Sequence, residues 1–142
     1  CYSILLARLQ REPISADASF AGAREQLNQK VQKSAGNAAW LSQLAVVDAL
    51  LNNKETAIAE AKRAVEMLPI SKDAVDGFSI ELNLAVVYGW TNELDLAFET
   101  LNSLAKGLGL FNYGTLKRDP YWEPLRQDPR YEKLLAEVAP KR

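Results

Sequence analysis

The stretch that decides the fold runs from Ala38 to Pro69: AAWLSQLAVVDALLNNKETAIAEAKRAVEMLP. It contains two runs rich in alanine, leucine and other helix formers, split by Asn52-Asn53 and closed by Pro69. Asparagine tolerates the backbone of a tight turn, and proline cannot continue a helix. The spacing therefore predicts a helical hairpin, Asn37 capping a helix through Leu51 and a second helix from Lys54 to Leu68. Ala45 and Ala57 stand where the two helices would cross, and Ala64 faces the next unit. A methyl group at a crossing lets two helix backbones approach where a branched side chain would hold them apart.

The pattern then recurs. Aligning Leu84-Ala85 with Leu44-Ala45 brings Tyr88, Ala97 and Phe98 into register, and the interval from Leu44 to Ala57 equals that from Leu84 to Ala97. The two copies are spaced more widely than the period of about 34 residues expected of an uninterrupted array of such hairpins. The surplus falls between Ile70 and Gly77, which marks it as an insertion between units. Ala23 precedes Ala57 by one uninterrupted period, so Ala23, Leu27 and Val31 take the second-helix role of an earlier, diverged copy.

The rest of the chain also reads as helices and turns, with no sustained polar–apolar alternation of the strand type. A first helix is expected near Tyr2–Gln10, ended by Pro13, and a second from Ser15 or Asp17 to about Lys33, with Phe20 starting its apolar stripe. Further helices are expected over Val75–Trp90 and, after a turn at Thr91-Asn92, from Glu93 to about Lys106, followed by a loop from Gly107 to Tyr113. Asp119-Pro120 and Asp128-Pro129 each combine a capping carboxylate with a proline at the first helical position. The first should open only a turn, because Pro124 cannot donate to a continuing helix, and the second a helix through Val138.

Composition narrows the chemistry. The 142 residues suffice for one domain with a real core, and 17 basic against 18 acidic side chains give no footprint for a polyanion. From Lys117 to Arg142 seven basic side chains face five acidic ones, so the tail is only mildly positive. No run is long and apolar enough for a membrane helix. Cys1 is the only cysteine and there is no histidine, which excludes an intrachain disulfide, histidine triads, imidazole bases and the usual zinc ligand sets. Gly107-Leu108-Gly109 lacks the lysine and third glycine of a phosphate loop. The carboxylate pairs Asp73/Asp76 and Glu93/Asp95 sit at helix starts, where acids favour the amide end. No catalytic residue, cofactor or metal is assigned. The chain starts at Cys1 without a signal pattern and is expected to be a fragment of a longer protein.

The repeated hairpin resembles the tetratricopeptide repeat. Residues 1–36 would be a diverged N-terminal repeat, 37–69 a complete one, 74–109 a second clear one, and 110–142 a cap. The resemblance implies an all-α superhelical array of about three repeats; a generic alanine-rich helical bundle is the alternative. The tail is similar to a bacterial family whose members often end in L-x-x-D-P-x-W-D-P-L-R-x-D-P-R-F. Leu116, Asp119, Pro120, Trp122, Pro124, Leu125, Arg126, Asp128, Pro129 and Arg130 match it, while Glu123 and Tyr131 depart conservatively. Ser71–Gly77, SKDAVDG, also resembles that family. An array's last helix pair needs its apolar face covered, and Trp122, Leu125, Tyr131, Leu134 and Leu135 are the expected cover.

The resemblance implies a non-enzymatic protein- or peptide-binding module, a regulatory or sensory part of a larger bacterial signalling or transcription protein. Its expected place is the cytoplasm, or the periplasm if the parent chain has a transmembrane segment. An oligomerisation or spacer domain, such as a homodimer, is the alternative. In tetratricopeptide arrays the first helix of each repeat lines the concave groove. Here that points to Ala39, Ser42, Gln43, Val46 and Leu50, and to Ser79, Leu82, Asn83, Val86 and Trp90. Val46 and Val86 occupy the asparagine-like positions of chaperone-tail receptors, so no carboxylate clamp is expected. Gln43 and Asn83 remain to bond an extended backbone. The competing expectation is that N-terminal helices or the cap cover these residues, and that Trp40 and Trp90 belong to the core.

Overall fold

A computed structural model describes residues 15–107 and 111–140, with side chains from residue 21 onward. The expected helix at Tyr2–Gln10, Cys1, the side chains of Ser15, Asp17 and Phe20, Leu108 and Gly109 of the glycine loop, and Lys141-Arg142 lie outside the described residues. The described chain is all-α: α1 (Ser15–Lys33), α2 (Ala38–Leu50), α3 (Lys54–Met67), α4 (Ala74–Trp90), α5 (Leu94–Ala105), α6 (Tyr113–Arg118), a 3-10 helix η1 (Pro120–Leu125) and α7 (Pro129–Val138). No strand occurs among the described residues.

Helix starts follow the capping chemistry. Asn37 accepts from the amide of Trp40 at 3.2 Å, and Asp73 from Val75 and Asp76 at 3.0 and 2.9 Å. Asp119 and Asp128, each followed by proline, accept from Tyr121 and Arg130 at 3.0 and 2.9 Å. Each side chain satisfies amides that a helix start leaves unpaired.

The two hairpins, α2–α3 and α4–α5, are one local structure repeated. Asn52 and Asn92 hold equivalent places in the two turns, and both adopt a left-handed backbone, with φ of 67° and 64°. Asparagine is among the few non-glycine residues that take this conformation readily. The amides of Asn53 and Glu93 then donate to Asp48 and Tyr88 carbonyls, both at 2.8 Å, which turns the chain back on itself. Ala45, Ala57, Ala85 and Ala97 are fully buried, as expected for crossing points between close helices.

Helices α2 and α3 pack extensively on each other, and α4 lies against both. α1 covers α2 on the other side, with Leu27 buried and Ala23 and Val31 packed against the core. At the far end η1 rests on α4, while α7 rests on α5 and α6. Trp122, Leu125, Tyr131, Leu134 and Leu135 are all buried, joined by Leu116 of α6. The Tyr131 hydroxyl donates to the Leu116 carbonyl, and Arg126 donates to the carbonyls of Asp119 and Lys117 at 2.8 and 3.2 Å. Arg130 lies 4.6 Å from the Phe98 ring and bonds Asp95 of α5 at 2.6 Å and Asp128, so this pair fixes the start of α7 and ties it to α5. Tyr113, expected to close a loop, instead opens α6, because Asn112 caps that helix by accepting from the Thr115 amide at 3.1 Å.

Candidate functional site

A cavity of about 410 Å³ opens between α2, α4 and the cap, lined by Gln43, Val46, Asn83, Val86 and Tyr121. Four of these five residues are expected from the sequence, and they form two matched pairs. Gln43 and Asn83 are amides at equivalent positions of the two copies, and Val46 and Val86 repeat at the same offset. Gln43 and Val46 lie about one helical turn apart, as do Asn83 and Val86, so each helix offers an amide and a valine to one face.

Ser42 is 1% exposed and does not line the cavity; its hydroxyl accepts from the Asn83 side-chain amide at 2.8 Å. This bond joins α2 to α4 and fixes the Asn83 rotamer, leaving that amide a second N–H and its carbonyl oxygen. Gln43 is exposed, Asn83 half-buried, and the two valines buried. None of the five lining residues carries a formal charge, so the cavity offers shape, apolar surface and hydrogen-bonding groups rather than charge.

Other expected groove residues fall elsewhere. Leu50 returns to nearly the same helix face as Gln43, yet it is 1% exposed and belongs to the main apolar core. The expectation that it contacts a ligand is therefore corrected: the groove stops short of the last turn of α2. Ser79 is exposed and donates to the Val75 carbonyl of its own helix at 3.2 Å. Trp90 is half-buried, and its indole N–H donates to the Tyr121 carbonyl at 2.9 Å, which makes it an anchor for the cap. Leu82 borders a small apolar cavity of about 70 Å³ under the cap with Phe78, Phe111 and Trp122. Ala39 is exposed beside a different depression, near Asn37 and Met67, and Trp40 lies under the ammonium of Lys30 at 4.4 Å.

Tyr121 joins the site without a sequence signal of its own. It follows Pro120 in the short η1 turn, and only the seating of that turn on α4 brings it across to α2. A second cluster, Arg24, Asp48, Asn53 and Glu60, also escapes sequence reasoning. Its one visible cue is Asp48, a lone carboxylate inside the apolar run Leu44–Leu51. Among the described residues, no group of three or more metal-ligating side chains comes together, and no helix is long and apolar enough to cross a membrane. No protein-family model, curated protein or solved structure matches this chain.

Proposed function

We propose that the chain is a tetratricopeptide-type scaffold that holds an extended segment of another protein between α2 and α4. The observation that carries this reading is the repetition of one amide and one valine, equally spaced in both helices, around an open cavity. Two valines give a dry floor for side chains, and two amides can bond the backbone groups of an extended chain. The Ser42–Asn83 bond supports the reading, because a pre-fixed amide loses less freedom when it binds. The cavity falls in the range of about 300–1,000 Å³ usual for ligand sites. The role is non-enzymatic. The tail resemblance points to the regulatory or sensory part of a larger bacterial signalling or transcription protein.

The test is a displayed library of unstructured peptides selected on this chain, with the affinity of a selected peptide measured by fluorescence anisotropy. Gln43→Ala and Asn83→Ala should each weaken binding by about five- to tenfold, the worth of one hydrogen bond. Gln43 is exposed, so its loss leaves the fold intact. A selected peptide that binds both variants as tightly as the wild type would contradict the groove.

A further inference from the structure

The most unusual polar feature lies away from the groove, where α1, α2 and α3 meet. The Asp48 side chain is completely buried. Its Oδ1 accepts from Arg24 Nε of α1 at 2.6 Å and from Asn53 Nδ2 of the α2–α3 turn at 2.8 Å. Its Oδ2 and both carboxyl oxygens of Glu60 in α3 are buried with no donor among the described residues. Yet the Asp48 and Glu60 carboxyls are neighbours that act directly on each other. Two ionised carboxylates cannot bond each other, since both only accept. Arg24 supplies a single positive charge against two acids, and its Nε–H is directed to Oδ1. One proton between the acids balances the charge and supplies the missing donor.

We propose that Glu60 and Asp48 share one proton that locks the α2–α3 hairpin, and that losing it loosens this hairpin as a pH-sensitive joint. The charged groups acting on Glu60 are Asp48 from α2 and Arg24 from α1, with Glu25 beside Arg24. Burial, the bond to Asp48 and the Asp48 charge push the Glu60 carboxyl from its ordinary 4.5 up to about 8, against the pull of Arg24. Asp48 is also penalised by burial, but bonds from Arg24, Glu60 and Asn53 outweigh this and hold it below the usual aspartate range. The proton therefore resides on Glu60 and is donated to Asp48.

The sign of the pH effect follows. Between 4.5 and about 8 the unfolded chain has released this proton while the folded chain retains it. Stability therefore falls as pH rises through that window and levels off above it. The Asp48 contribution has the opposite sense, being lost only in acid as pH falls through its lowered value.

Glu60→Gln keeps a donor toward Asp48 and cannot ionise. Denaturant unfolding of both proteins should show the wild-type folded-to-unfolded ratio falling, relative to the variant, by up to about tenfold per pH unit within the window. The carboxyl carbon-13 signal of Glu60 in the wild type should titrate near 8 rather than at its ordinary 4.5, and amide protection in α3 should drop along with it. Parallel pH profiles for the two proteins, or titration of Glu60 with the ordinary carboxylates, would overturn the proposal. A shift of the Glu60 signal on adding calcium ion alone at neutral pH would overturn it too, by showing a cation where the proton is placed. If the variant fails to fold, the wild-type titration decides the matter.

Discussion

Gly77→Ala is expected to destabilise the protein by about 1–3 kcal/mol, although the same change inside a helix ordinarily gains about 1 kcal/mol. Gly77 sits in the first turns of α4, where the helix folds back over the inter-repeat segment. A Cβ placed there would lie 2.7 Å from the Ile70 nitrogen and 2.8 Å from Ile70 Cα and the Pro69 carbonyl carbon. All three contacts are backbone, so no side chain can rotate away and the segment itself must move. That movement would pull the insertion off α4 and disturb the small apolar cluster of Ala38, Leu41, Ala64 and Ile80. Gly22→Ala in α1 is the control: no atom of the described residues lies within 4 Å of the added methyl, and it should stabilise by up to about 1 kcal/mol. Urea unfolding followed by circular dichroism measures both. A stabilised Gly77→Ala protein would show that the insertion does not pack on α4 as described.

Leu125→Ala is expected to cost about 3 kcal/mol, in the middle of the range for deleting a buried leucine. Leu125 is fully buried at the end of η1, and Gly89 of α4 faces it closely enough that an added methyl would stand 3.6 Å from Leu125 Cδ2. The loss should be local first, because the cap ends the described chain and meets the hairpins chiefly through η1 on α4 and α7 on α5. Limited proteolysis should therefore cut within 111–140 sooner than in α2–α5. The Trp90 indole should lose its bond to the Tyr121 carbonyl, with a change in its fluorescence. Peptide affinity should drop as well, since Tyr121 forms one wall of the groove. Uniform proteolysis along the chain would instead place the cap and the hairpins in one cooperative unit.

Much of the architecture was legible because it rests on local chemistry. The Asn-Asn and Thr-Asn turns, the Asp-Pro starts and the equal leucine-to-alanine intervals each determine a short piece of backbone, and the corresponding helices begin and end close to where those residues put them. Helix α6 was not legible, since YGTLKR is brief, contains a glycine and is held by its Asn112 cap and the burial of Leu116. The groove was half legible. Helical spacing points to Gln43, Val46, Asn83 and Val86, but it cannot say how far a stripe stays open, and so it includes Leu50 and Trp90. Ser42, expected as a contact, serves instead to hold Asn83. Tyr121 and the Arg24–Asp48–Glu60 cluster depend on packing between segments distant in sequence, which periodicity does not encode.

The central claim is that the face shared by α2 and α4 receives a protein segment. Amide chemical-shift mapping on nitrogen-15-labelled protein, titrated with a peptide selected from the displayed library, tests it most directly. The largest changes should fall on the backbone amides of Val46 and Val86 and on the side-chain amides of Gln43 and Asn83. Changes confined to α3 and α5, with those four residues unmoved, would contradict it.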